Sequence, residues 1–108
     1  MMGNKQSAEK SDSQPALQGK EAVYVMKHPG HCTGMFWRPN PQDSKQKQIG
    51  GDDWPRNQSR LIGTKQTLGG QDWLEVTSWV QAGKQQWSVG CEGLWMPFEQ
   101  GGLLLHEA

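Results

Sequence analysis

No stretch of this chain stays apolar for long. The longest unbroken aliphatic run is Leu103-Leu104-Leu105, far short of the roughly 20 residues a helix needs to cross a bilayer. Only 33% of the residues are hydrophobic, low for a globular domain, so aliphatic side chains alone do not supply a core. Charge of one sign is also missing. Lysine plus arginine and aspartate plus glutamate each total 11, so the chain lacks the basic footprint of a sequence-independent nucleic-acid binder. Cysteine is scarce: Cys32 and Cys91 are the two present. They are enough for one disulfide or for two reduced thiols, but not for a disulfide framework, and no secretory signal precedes them. No segment of useful length repeats its apolar residues at helical spacing.

What is abundant is tryptophan and turn formers. Six tryptophans concentrate apolar surface, since each aromatic side chain buries about 150–250 Å². Fourteen glycines and six prolines favour short strands with frequent turns. The organising stretch is Asp72-Trp73-Leu74-Glu75-Val76, where Trp73, Glu75 and Thr77 alternate against Leu74 and Val76. Gly93-Leu94-Trp95-Met96-Pro97-Phe98 answers it, with Leu94, Met96 and Phe98 on one parity and Trp95 and Pro97 on the other. Pro97 donates no ladder bond, so it is expected at an edge or turn.

Taken in order, residues 1–20 are polar and are expected to form a disordered tail, because they bury too little to offset ordering entropy. Met2-Gly3-Asn4-Lys5-Gln6-Ser7 follows the acylation pattern M-G-x-x-x-[ST], which makes Gly3 a lipidation site if translation starts at Met2. Otherwise the tail is simply solvated. One acyl chain would give reversible membrane contact only. Residues 21–108 are expected to be one domain. Its strands are Glu21–Lys27, the short aromatic Met35–Arg38, Arg60–Leu68, 72–80, Gln85–Val89, the 93–98 element and Leu103–His106. Breaks fall at His28–His31, Gly69-Gly70, Gln81–Lys84 and Gly101-Gly102. Between them, residues 39–53 form a long polar loop, either a specificity element or a tolerated insertion.

A series of short strands with close turns points to an all-β barrel or sandwich. Three stretches make the chain resemble the SH3-like barrels, the bacterial SH3b domains as much as the eukaryotic SH3 domains. Tyr24-Val25-Met26 with Phe36-Trp37-Arg38-Pro39 resembles the opening strand and following segment. Gly70-Gln71-Asp72-Trp73-Leu74-Glu75-Val76 resembles the G-x-x-W-x-x-V strand, and Gly93-Leu94-Trp95-Met96-Pro97-Phe98 resembles the closing element. The likeness runs over about residues 22–106. It implies a small SH3-like barrel of five or more antiparallel strands that binds an extended, in some cases proline-rich, peptide in an aromatic groove. The implied ligand residues are Tyr24, Trp37, Trp73, Trp95, Pro97 and Phe98. Asp52, Asp53 or Asp72 would supply the carboxylate for a basic ligand residue.

Catalysis finds no support. His28, His31 and Cys32 lie close together, but at no diagnostic metal or nucleophile spacing. Neither Gly69-Gly70 nor Gly101-Gly102 opens a helix, as a phosphate loop would. No catalytic residue, metal or cofactor is implied. The expected function is a non-catalytic protein-interaction module, monomeric in isolation and cytoplasmic, or peripheral to a membrane if acylated. The alternatives are a structural subunit of a larger assembly and a cell-wall or glycan-peptide targeting module. Either Trp73 or Trp95 is expected to be exposed, while Trp54, Trp79 and Trp87 are expected to pack. Trp95→Ala would then weaken binding without unfolding the domain.

Overall fold

In a computed structural model, which describes residues 9–42 and 53–108, the chain is all-β. Among these residues six strands form one antiparallel sheet: β1 (Glu9–Ser11), β2 (Ala22–Met26), β3 (Arg60–Leu68), β4 (Gln71–Val80), β5 (Trp87–Pro97) and β6 (Leu105–Glu107). The order across the sheet is β1-β5-β4-β3-β2-β6. No helix of the described residues is long and apolar enough to cross a membrane. Gly3, Asp52 and most of the expected 39–53 loop lie outside the described residues.

The β3–β4 hairpin carries the register. Gly69 and Gly70, both at positive φ, turn the chain where a side chain would be strained. Nine pairs then run from Leu68↔Gln71 to Arg60↔Val80. The ladder slips at Ile62/Gly63, leaving Thr77 unpaired. A Cβ on Gly63 would fall on the Glu75 carbonyl oxygen, so this bulge brings two backbones together as only glycine permits.

β4 alternates as its sequence predicts. Leu74 and Val76 are fully buried, whereas Trp73, Glu75 and Thr77 are half-buried. The main core joins Leu74 and Val76 to Tyr24, Met26, Leu61, Leu94, Met96 and Phe98, together with Trp37 and Trp79. A smaller cluster of Ile62, Val80 and Trp87, flanked by Val23 and Val89, holds the other face.

Three expectations change. The segment 9–20, expected to be without structure, supplies β1, paired Glu9↔Val89 to Ser11↔Trp87. Its side chains are mostly exposed, so backbone pairing orders it and no apolar pattern announces it. The elements expected at 85–89 and 93–98 are one strand, β5. Gly90 and Gly93 sit at positive φ and absorb extra residues between Ser78↔Val89 and Val76↔Leu94, a bulge instead of a break. Met35–Arg38 is not a strand: isolated bridges Gly34↔Arg56 and Arg38↔Trp95 pin its two ends.

Beyond β5 the chain turns back on itself. Phe98 N–H donates to Asp72 O at 3.1 Å, so the adjacent Pro97 nitrogen points away from β4 and breaks no bond of that ladder. The Phe98 carbonyl accepts from Leu104 N–H (2.7 Å) and Leu105 N–H (3.3 Å), while Leu104 O accepts from Lys27 N–H (2.8 Å). These bonds tie the end of β5 to the strand that pairs with β2.

Candidate functional site

Most of the aromatic-proline wall expected at the surface lies inside the protein. Trp95 is 4% exposed and Trp37 1%. Tyr24, Pro97 and Phe98 are buried too. Tyr24 and Phe98 meet edge-to-face, with centroids 5.0 Å apart at 87°, and Trp37 meets Trp79 in the same manner at 5.2 Å. Trp37 is further fixed by its indole N–H, which donates to the Asp53 carbonyl at 2.9 Å. These five side chains are core, and the expectation that they contact a ligand is corrected accordingly. The cause lies in the composition: a chain this poor in aliphatic residues fills its interior with aromatics.

Of the remaining expected residues, Asp53 is exposed and Trp73 half-buried. Asp53 lines a hollow with Lys10, Arg56 and Lys84, and Trp73 is not among its lining residues. The hollow beside Asp72 is small, about 160 Å³, and is lined by Gly70, Gln71, Asp72 and Glu99, with no aromatic among them. Asp72 is occupied within its own hairpin. It accepts from Thr67 Oγ1 at 2.7 Å and pairs with Lys65 at 3.4 Å. The hydroxyl bond chiefly, with the ammonium charge, holds its carboxyl below the usual range.

The open aromatic surface is elsewhere. Phe36 is 54% exposed and stands edge-on to half-buried Trp54, centroids 5.1 Å apart. With His31, Cys32 and Met35 they line a groove of about 410 Å³. Volume and lining decide between the two hollows: this one is more than twice as large and is apolar. The Arg56 guanidinium lies 4.6 Å from the centroid of the Trp54 ring, within cation–π range. Arg38 borders the other side, its Nη2 3.7 Å from Met35 Sδ.

The groove is built on a fixed frame. One wall, residues 31–36, hangs on the 54–57 turn. Met35 N–H donates to Pro55 O at 3.2 Å, and Asn57 N–H donates to Thr33 O. The Asn57 side chain clamps both directions, accepting from His28 N–H at 2.7 Å and donating to Cys32 O at 3.1 Å. Gly34 allows the close approach, because a Cβ there would meet Arg56 Cα at 2.7 Å and the Trp54 ring at 2.8 Å.

The turn is in turn anchored to the end of β4. Ser59, fully buried, donates from Oγ to Gln81 Oε1 at 2.7 Å. It accepts from Arg56 N–H (3.1 Å) and Ala82 N–H (2.9 Å). Gln81 also accepts from Arg56 N–H at 2.8 Å and donates to Trp54 O at 3.0 Å. No buried side-chain polar atom among the described residues is left without a partner. A satisfied polar frame of this kind fixes the position of the Trp54 backbone.

Sequence reasoning assigned Trp54 to packing and passed over Phe36. Two signals were present. Phe36 and Trp37 are adjacent in an extended segment, so they point to opposite sides, and burying one exposes the other. Trp54 is followed by Pro55, the same aromatic-proline character that drew attention to Trp95 and Pro97.

Titratable chemistry is sparse. Among the described residues no three His, Cys, Asp or Glu side chains converge to hold a metal ion. Both cysteines are free, Cys32 exposed and Cys91 half-buried. Burial pushes the Cys91 thiol up to about 11, against the opposing charge of Lys10, the direction that makes a thiol unreactive. Comparison with protein families, with curated proteins and with solved structures finds no match for this chain.

Proposed function

We propose that this chain is a non-catalytic interaction module of SH3-like type, which seats an extended peptide on the corner formed by Met35, Phe36 and Trp54. One observation carries the reading: Phe36, more than half exposed, stands against Trp54 in an apolar groove. An exposed aromatic pair held by a hydrogen-bonded frame suits a ligand whose backbone is already extended, since neither side loses much freedom on binding. The groove uses different aromatic residues from those the resemblance implied, since Trp95, Pro97 and Phe98 are buried.

The test is a titration of the ¹⁵N-labelled chain with pools of extended, apolar-centred peptides, repeated on Phe36→Ala. Chemical-shift changes centred on residues 31–36 and 54–57, abolished in Phe36→Ala, are the expected result. Changes centred on Trp73 and Asp72, or binding indifferent to Phe36→Ala, would overturn it. Concentration-dependent self-association that disappears in Phe36→Ala would instead assign the corner to assembly.

A further inference from the structure

The aromatic groove does not end at Trp54. Arg56, stacked on the Trp54 ring that lines the groove, itself lines a second hollow of about 380 Å³ with Lys10, Lys84 and a single acid, Asp53. Through that stacking one side chain links an apolar groove and a cationic hollow. Lys10 is oriented by the bond from its Nζ to Ser88 Oγ at 2.9 Å, and Lys84 is exposed. On the far flank Arg38 is held by Met35 Sδ and by Gln100 Oε1 (3.2 Å). Among the described residues the one ion pair is Lys65–Asp72, so none of these four cations has a carboxylate partner among those residues. The whole chain is charge-balanced, which makes this concentration of cations around one groove a local feature and not a consequence of composition.

We infer that the partner is an acidic extended peptide: an apolar residue seats against Phe36 and Trp54, and neighbouring Asp or Glu side chains pass Arg56 toward Lys84 and Lys10. The inference rests on the reading of the groove as a peptide site and adds the charge of what it takes. It reverses the expectation of a basic ligand held by Asp52 or Asp53. Arginine suits the task because its planar fork meets a carboxylate with two parallel bonds while its face stays on the indole. The cation–π contact with Trp54 fixes the guanidinium beside the groove before a carboxylate arrives.

The test uses the full chain and three fluorescent pools of peptides about ten residues long, enough to cross both hollows at roughly 3.3 Å per residue. All pools carry a central Leu, Pro, Phe or Trp; the flanks are Asp/Glu, Asn/Gln or Lys/Arg. At low salt the acidic pool is expected to bind about tenfold or more tighter than the neutral pool, and the advantage should shrink as salt screens it. Arg56→Gln combined with Lys84→Gln should erase the advantage, weakening binding of the acidic pool about tenfold more than binding of the neutral pool. Arg56→Gln keeps the backbone N–H that anchors the turn, and Lys84 is exposed. A neutral or basic pool that binds as tightly as the acidic one overturns the acidic partner, and if Phe36→Ala abolishes that binding the groove itself stands. Phe36-independent binding, or none from any pool, overturns both.

Discussion

Replacing Ser59 by alanine removes one oxygen that holds three elements together. The Ser59 hydroxyl bonds Gln81 Oε1, the Arg56 N–H and the Ala82 N–H from a fully buried position. After the substitution Arg56 N–H keeps Gln81 Oε1, but Ala82 N–H loses the bond to Ser59 Oγ and has no other partner among the described residues. A stranded donor costs about 1–3 kcal/mol, and each further net bond about 0.5–1.5 kcal/mol. Ala82 is only half-buried, so water recovers part of that, leaving an expected loss of about 2–3 kcal/mol. Urea unfolding followed by tryptophan fluorescence reads it directly. With a slope of about 1–2 kcal/mol per molar for a domain this size, the midpoint should fall by roughly 1–3 M at unchanged slope. Gln81→Leu shares the same bonds, so the double variant should deviate from additivity by at least about 0.5 kcal/mol. A midpoint shift under about 0.3 M, or additivity within about 0.3 kcal/mol, would refute the frame that positions Trp54.

Three other outcomes follow from the same structure. Gly63→Ala drives a methyl into the backbone of β4 at Glu75 and Val76; a cost above about 2 kcal/mol is expected in the same urea assay. Trp95→Ala empties a core position and should cost about 3–5 kcal/mol, a large share of the stability of a small domain. Circular dichroism would then show lost structure, not a folded protein with weakened binding. Cys91 titrates higher in the folded chain, at about 11, than its ordinary value of 9.0. Its contribution is therefore complete below pH 9.0 and lost as pH rises toward 11, because the unfolded thiol ionises first. The melting temperature of Cys91→Ser should fall less steeply than that of the unmodified chain across that window.

Much of the fold was legible because its pattern is local. β2, β3 and β4 each alternate or break where side chains demand it, and Gly69-Gly70 announces the tightest turn. β1 was not legible, since Glu9, Lys10 and Ser11 contribute backbone pairing and little burial. β5 was read as two pieces because Gly90 and Gly93 look like a break, whereas a bulge within a strand uses the same residues. The all-β class therefore came through while the order of strands did not, as order depends on pairings between distant segments.

The site was legible only as an inventory. Which tryptophan is buried depends on what closes over it. Trp95 is buried, and its backbone pairs with a distant segment, Arg38 N–H donating to Trp95 O at 2.9 Å and Trp95 N–H to Arg38 O at 3.2 Å. That contact joins residues far apart in the chain, and no spacing rule contains it. The position of Trp54 likewise depends on Gln81 and Ser59, two ordinary polar residues whose role exists only once β4 has brought them together.

The central claim is that the aromatic surface is the Phe36–Trp54 corner while the Trp95 wall is interior. Hydrogen exchange of the six tryptophan indole N–H groups in a proton–nitrogen spectrum tests it without any choice of ligand. The account predicts slow exchange for Trp37, Trp79, Trp87 and Trp95, and fast exchange for Trp54 and Trp73, in line with their burial. Fast exchange at Trp95 together with protection at Trp54 would contradict it.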